Sequence, residues 1–112
     1  MASSPEIEPR YFGFTDLHGF KDFVGYVILC APDLFPKQDW RDSDEQMNLD
    51  RAFVGLRYGL NLAEKEVGES YRLERCRELV EQAFAEYQAG RDMAGQVKLE
   101  EMDQLLRKFP SK

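Results

Sequence analysis

The chain of 112 residues lacks most of the signatures by which an enzyme or a cofactor-binding protein is recognised. It contains one histidine, His18, and two cysteines, Cys30 and Cys76, which are far apart and outside any CxxC motif. A zinc site needs several such ligands at close spacing, and a histidine-dependent triad needs a nucleophile motif that this sequence does not contain. Neither common glycine-rich phosphate loop occurs. We therefore expect no catalytic residue, no metal and no cofactor, and predict that the protein is not an enzyme.

Long hydrophobic runs and basic stripes are also missing. The longest wholly apolar run covers residues 26–32, and the first residues lack the charged and apolar regions of a signal peptide. We expect no membrane insertion and no export, and hence two reduced, buried thiols in a cytoplasmic protein. The 15 basic and 21 acidic side chains give a net charge of −6, which argues against direct binding to nucleic acid. Arginines at 72, 75 and 77 are interspersed with glutamates, as is typical of a solvated helix face.

The length and composition favour one folded domain over residues 1–112. Hydrophobic residues make up 43% of the chain and charged residues 32%, which suits a single core and does not resemble a disordered protein. Two prolines lie within residues 1–10, and proline disfavours helix, so we expect this stretch to be a flexible arm. Three rings follow at Tyr11, Phe12 and Phe14. We expect them to dock on the core, as a short strand or as an aromatic plug.

Apolar residues recur at spacings of three and four in four segments, which is the pattern of amphipathic helices. Thr15 is the expected N-cap of the first helix, Ser43 with Gln46 forms a capping box before the second, and Asp92 precedes the fourth. The predicted helices cover residues 16–31, 44–67, 70–89 and 93–109. A strand over residues 23–30 is the competing prediction for part of the first segment. The fold predicted is an all-α, single-domain bundle of about four helices, with short loops making the last three antiparallel to their neighbours.

Two details of the predicted faces bear on function. Val54 and Val97 fall on the predicted apolar faces of the second and fourth helices, whereas Leu49, Phe84 and Leu99 lie off the main stripes. Apolar side chains outside the core face are candidates for a surface through which the protein associates with itself.

An acidic segment is the clearest candidate for a binding surface. Residues 33–50 contain six acidic and two basic side chains, a net charge of −4, together with the only tryptophan. Within it, five side chains are the predicted contacts of a partner protein: Asp39, Trp40, Asp42, Asp44 and Glu45. The alternatives are a tryptophan that covers the core and acidic residues that are simply solvated or begin a helix. A calcium loop is not predicted, because the central glycine that such a loop needs is absent from residues 39–50.

These features predict a non-catalytic protein that binds one basic protein partner. Small size, acidity and the absence of catalytic motifs suit an immunity protein or antitoxin, which would occlude the active site of a cognate bacterial toxin. The alternative, from a different class, is a helical regulatory or scaffold protein that forms a homodimer through Leu49, Phe84 and Leu99. A third, enzymatic interpretation would depend on the acidic cluster alone.

Overall fold

The computed structural model describes residues 12–37 and 46–109. Its helices are α1 (Leu17–Cys30), α2 (Leu49–Val67), α3 (Tyr71–Gln88) and α4 (Asp92–Arg107). The described residues contain no strand, so the predicted all-α bundle is confirmed. The competing strand at residues 23–30 is wrong, because this stretch is the second half of α1. No helix in these two ranges is long and apolar enough to span a bilayer, and the predicted arm at residues 1–10 lies outside them.

The start of α1 is fixed by two carboxylates. Asp16, not the predicted Thr15, is the N-cap, and its side chain accepts a hydrogen bond from the Gly19 N–H at 2.9 Å. Glu66, at the end of α2, accepts a hydrogen bond from the Leu17 N–H at 2.6 Å. These acceptors satisfy two of the amides that a helix leaves unpaired at its N-terminus, and their negative charge suits the positive end of the helix dipole.

Helix α2 is shorter than predicted, with 19 residues, because it begins after Asn48 rather than after Ser43. The Asn48 side chain accepts a hydrogen bond from the Arg51 N–H at 2.9 Å. Met47, just before this cap, is buried, which places an apolar residue where a hydrophobic staple is found. The Gln46 carbonyl accepts a hydrogen bond from the Arg51 guanidinium at 2.8 Å. The predicted capping box is therefore wrong, because Gln46 lies outside the helix; Ser43 itself is outside the described residues.

Neighbouring helices run antiparallel in a closed ring. Residues from the middle of α2 pair with residues of α3 in reverse order, since Arg57 bonds Glu81 and Arg77 bonds Glu64. The start of α3 likewise lies beside the end of α4, where Arg75 bonds Glu101. Helix α1 packs against α2 and α4, and in the described residues the backbones of the diagonal helix pairs lie farther apart. The result is an up-down-up-down bundle, in which the α1–α2 and α3–α4 connections lie at one end and the α2–α3 connection lies at the other.

An aromatic cluster packs the chain before α1 against the middle of α1 and α2. Phe12 and Phe14 are buried, and the Phe14 ring lies 5.1 Å from the Phe23 ring and 5.6 Å from the Tyr58 ring, centroid to centroid. The plug, and not the strand, is therefore the correct alternative for residues 12–14; Tyr11 is outside the described residues. The rings join α1, α2 and the chain before α1 in one apolar contact, which stabilises them beyond the burial of their area.

Glycines allow this close packing. A Cβ atom at Gly59 of α2 would lie 2.0 Å from the Phe20 ring, and one at Gly55 would lie 2.7 Å from the Phe23 ring. On α4, a Cβ atom at Gly95 would lie 2.8 Å from the Tyr87 ring. Rings of α1 and α3 thus rest directly on the backbones of α2 and α4, at positions where no larger residue fits.

Two predicted faces are wrong in detail. Val97 is 58% exposed, whereas Leu99, predicted to lie off the main stripe, is fully buried. The core face of α4 passes through Gly95, Leu99, Met102 and Leu106, at spacings of four, three and four. Gly95 contributes no apolar side chain to the pattern, so the spacing predicts a stripe that begins at Val97. Glycines at 55 and 59 caused the same error on α2, where Val54 is 38% exposed.

Replacement of Gly59 with alanine should destabilise the protein. The added methyl would overlap the fully buried Phe20 ring, and overpacking of this kind costs about 1–3 kcal/mol. Gly25→Ala is the matched control, because a Cβ atom at Gly25 meets nothing within 4 Å and alanine favours helix by about 1 kcal/mol. The free energy of unfolding, measured with urea, should be lower than that of the wild-type protein for Gly59→Ala and higher for Gly25→Ala. Equal effects would contradict the contact between Phe20 and the α2 backbone.

The Tyr87 hydroxyl is the one buried side-chain polar atom in the described residues that has no hydrogen-bond partner. Tyr87 is 5% exposed and its ring packs on Gly95. Burial raises the pKa of Tyr87 to about 12, with smaller contributions from the nearby Asp92 and Glu100 carboxylates. A buried hydroxyl without a partner loses its hydrogen bonds to water and costs about 1–3 kcal/mol.

Tyr87→Phe should therefore stabilise the protein by about 1 kcal/mol and raise the melting temperature by about 4 °C. The wild-type protein should also lose stability as the pH rises from about 10, because the exposed tyrosine of the unfolded chain ionises there before the buried one does. Thermal unfolding at pH 7 and between pH 10 and pH 12 should show a smaller alkaline loss for Tyr87→Phe. A destabilised variant at pH 7 would mean that the hydroxyl has a partner in solution.

Candidate functional site

The five predicted contact residues lie outside the described residues. Asp39, Trp40, Asp42, Asp44 and Glu45 all belong to the connection between α1 and α2, of which residues 31–37 and 46–48 are described. Both ends of the connection are anchored, since the Leu34 N–H donates a hydrogen bond to the Cys30 carbonyl at 2.7 Å and Met47 is buried. The described parts of the connection, residues 31–37 and 46–48, thus lie at the end of the bundle where α1 finishes and α2 begins.

Exposed leucines lie beside this segment. Leu29, in the last turn of α1, is 79% exposed, and Leu34 is 70% exposed. Leu34 donates the backbone hydrogen bond to Cys30, and Leu29 directly precedes Cys30 in the chain. Asp33, next to Leu34, is exposed as well. Phe35 packs against Tyr26, with 5.7 Å between the ring centroids, and so ties the chain to α1. Exposed apolar side chains next to acidic ones are suited to binding a partner protein. Burial of the apolar side chains would supply affinity, and the acidic charges would orient the partner.

A groove occupies the opposite end of the bundle, between the first turns of α3 and the last turns of α4. Its cavity volume is about 550 Å³, and it is open to solvent. The α3 side consists of Ser70, Tyr71, Arg72 and Arg75. The α4 side consists of Glu101, Leu105, Lys108 and Phe109. This groove was not predicted from the sequence, because it joins residues about 35 positions apart that meet only when α3 and α4 pack.

The charges in the groove are unevenly compensated. Arg75 bonds both Glu78 and Glu101, at 3.2 and 3.1 Å, and these hydrogen bonds raise its pKa. Arg72 and Lys108 have no acidic partner within the described residues. The Arg72 guanidinium lies over the Phe109 ring, 5.3 Å from its centroid, which is a cation–π contact. The predicted solvated arginine face is therefore correct for Arg75 and Arg77, which make ion pairs, and incomplete for Arg72.

Both thiols and the single histidine of the sequence lie within the described residues. Cys76 is fully buried, and burial raises its pKa to about 11; burial raises the pKa of the half-buried Cys30 thiol as well. Both thiols are protonated at neutral pH and are poor nucleophiles. His18 is exposed on the first turn of α1. Among residues 12–37 and 46–109, no three potential metal ligands lie close enough together to hold an ion.

Of the three residues named for self-association, Leu99 is wrong, whereas Leu49 and Phe84 are only partly buried. Leu99 is fully buried, and Leu49 is partly buried against the core. Phe84 packs on Phe53 at 4.9 Å between ring centroids, with the Arg57 guanidinium over its outer face. The exposed apolar residues of α4 are instead Met93, at 81%, and Val97, which are one turn apart.

Comparison of the chain with models of known protein families, with curated proteins and with solved structures finds no match. Two candidate surfaces have described residues at opposite ends of the bundle. One is the acidic end, defined here as residues 33–45 together with Leu29. The other is the basic groove, defined as the cavity between α3 and α4 that Tyr71, Arg72, Lys108 and Phe109 line.

Proposed function

We propose that the protein is a non-catalytic binding module whose acidic end holds a basic protein partner. The observation that carries this proposal is the strong exposure of two leucines at a segment of net charge −4: Leu34 lies within this segment, residues 33–50, and Leu29 lies just before it. Exposed leucines that cover no core side chain are costly in water, and their burial by a partner recovers this free energy. The acidic side chains select a partner of positive charge and speed its approach.

The partner class that best suits this module is a bacterial toxin with a basic active-site cleft, so that the protein acts as its immunity protein or antitoxin in the cytoplasm. Toxins that cleave nucleic acids need such a cleft to bind phosphates. An acidic protein that fills the cleft competes with the substrate sterically and electrostatically. Asp39, Trp40, Asp42, Asp44 and Glu45 would enter the cleft, while Leu29 and Leu34 would seal its rim against water.

The apolar contacts should control the lifetime of the complex. Trp40→Ala and Leu34→Ser should each raise the dissociation rate constant about tenfold or more, because interface aromatic and aliphatic anchors contribute about 2 kcal/mol. Leu34→Ser should keep the wild-type melting temperature within about 2 °C, since Leu34 is 70% exposed and contributes little to folding. The same result is expected for Trp40→Ala if the indole binds the partner and not the core. Surface plasmon resonance with the C-terminal domain of a toxin encoded beside this gene would measure the rates. Loss of stability without loss of binding would show that the indole belongs to the core.

The acidic residues should control the association rate. The variant Asp42→Asn/Asp44→Asn/Glu45→Gln changes the net charge from −6 to −3 and should slow association about tenfold at low ionic strength, with little effect in about 1 M salt. The matched control is Asp22→Asn/Glu74→Gln/Glu100→Gln, which removes the same charge from exposed positions on α1, α3 and α4. Equal slowing by both variants would assign the effect to net charge and contradict a localised acidic site.

Growth of bacteria that express the toxin domain tests inhibition itself. Co-expression of the wild-type protein should restore growth, and the acidic-segment variant should restore it less than its control does.

A protein that binds no neighbouring toxin, and instead forms a stable homodimer sensitive to Val97→Asp, would support the second candidate function, a self-associating regulatory or scaffold protein. The exposed pair of Met93 and Val97 is the observation that favours this candidate.

A further inference from the structure

The basic groove has features that the proposed function does not use. Its positive charge stands out in a protein of net charge −6, and two of its cations, Arg72 and Lys108, make no ion pair with the described residues. By contrast, each of the arginines at 57, 75, 77, 91 and 107 bonds a carboxylate. Cations that lie together without counter-charges, on two different helices, provide a favourable place for an acidic ligand.

The groove also presents aromatic surface to the ligand. Tyr71 is 87% exposed, although it belongs to the first turn of a helix whose other large apolar residues are buried or half-buried. Phe109 is buried beneath the Arg72 guanidinium, and Leu105 completes the apolar wall. A ligand that suits both properties is a peptide segment with carboxylates and at least one aromatic side chain.

Such a segment occurs in this chain. We propose that the basic groove of one copy binds the acidic segment of a second copy, residues 33–45, so that the copies associate head to tail. This segment combines acidic side chains with Phe35 and Trp40. The charge complementarity is therefore internal to the protein, with negative charge at one end of the bundle and uncompensated positive charge at the other.

The contact has to be intermolecular for reasons of length. Residues 38–45 are attached at both ends to the acidic end of the bundle, and eight residues that run out and back extend about 16 Å at most. The groove lies beyond the far end of α2, whose 19 residues span about 28 Å. The segment cannot reach the groove of its own copy. A head-to-tail contact is heterologous, so it joins copies into a closed ring or an open chain rather than a two-fold dimer.

This proposal stands apart from the toxin-inhibiting function, and its test uses the protein alone. The two proposals are linked only by competition, because a basic partner that covers the acidic segment would release this segment from the neighbouring copy.

Sedimentation velocity of the full chain at ionic strengths of about 0.02 M and about 0.5 M is the first measurement. Association should increase with protein concentration at low salt and weaken about tenfold or more at high salt. A wild-type protein that stays monomeric at both salts, up to about 1 mM, would overturn the proposal.

Charge reversal identifies the groove. Arg72→Glu/Lys108→Glu should abolish association, and its matched control, Lys65→Glu/Lys98→Glu, should retain it; both variants have a net charge of −10 instead of −6. Neither control lysine makes an ion pair with the described residues, and both lie outside the groove. Equal dissociation of the two variants would mean that general repulsion is the cause and would overturn the proposal. Circular dichroism establishes that each variant is folded.

A charge exchange identifies the second half of the contact. Asp42→Lys/Asp44→Lys reverses the acidic segment and should also be monomeric alone, because its segment then repels the basic groove. A mixture of this variant with Arg72→Glu/Lys108→Glu should associate again, because the reversed segment now meets a reversed groove. A mixture that stays monomeric would overturn the head-to-tail contact. The head-to-tail contact would also be overturned if Val97→Asp abolished association while both charge variants kept it. That result would assign the interface to α4.

A synthetic peptide of residues 33–48 with a fluorescent label gives a readout that does not depend on oligomers. Its fluorescence polarisation should rise with wild-type protein, and its dissociation constant should increase about tenfold or more for Arg72→Glu/Lys108→Glu, but not for the lysine control. A peptide of the same composition in scrambled order separates sequence from charge. Equal binding of the two peptides would show that the groove recognises charge alone and would overturn the choice of this segment as its occupant.

Discussion

Aromatic rings that rest on glycine backbone determine how this bundle is assembled. Phe20 and Phe23 of α1 lie on Gly59 and Gly55 of α2, and Tyr87 of α3 lies on Gly95 of α4. The missing side chains let each pair of helices approach closely, and the rings fill the space that remains. The positions of both candidate surfaces follow from this contact, because it sets the register of each helix and hence which residues reach the two ends.

The helices were predictable because their apolar spacing is regular, whereas their faces and starts depended on residues that the pattern represents poorly. A glycine on the core face adds nothing to an apolar stripe, so Val97 was assigned inward and Leu99 outward. The start of α2 was misplaced for a different reason: Ser43 and Asn48 are both good N-caps, and local preference alone does not separate them. The burial of Met47, a tertiary interaction, accompanies the later start.

The two surfaces differ in how far a sequence can reveal them. The acidic end is continuous in the chain, so its charge and its tryptophan are visible in one short segment. The groove brings Tyr71 and Arg72 together with Lys108 and Phe109. Its excess positive charge is evident only once the structure shows that the other arginines described above form ion pairs with carboxylates. The one signal in the sequence was Tyr71, an aromatic residue two positions before the buried stripe that begins at Leu73. Without the packing of α3 on α4, that tyrosine has no apparent role.

The antiparallel order of the helices separates the two surfaces by the length of the bundle. The α1–α2 connection carries the acidic residues at one end, while the start of α3 and the end of α4 hold the groove at the other. A single small partner cannot cover both surfaces at once. If the acidic residues of the same copy lay within reach of Arg72 and Lys108, they would neutralise these two cations and remove their attraction for other acidic ligands. The separation of the two surfaces keeps the negative and the positive charge available, which favours a protein that uses its two ends for two different contacts.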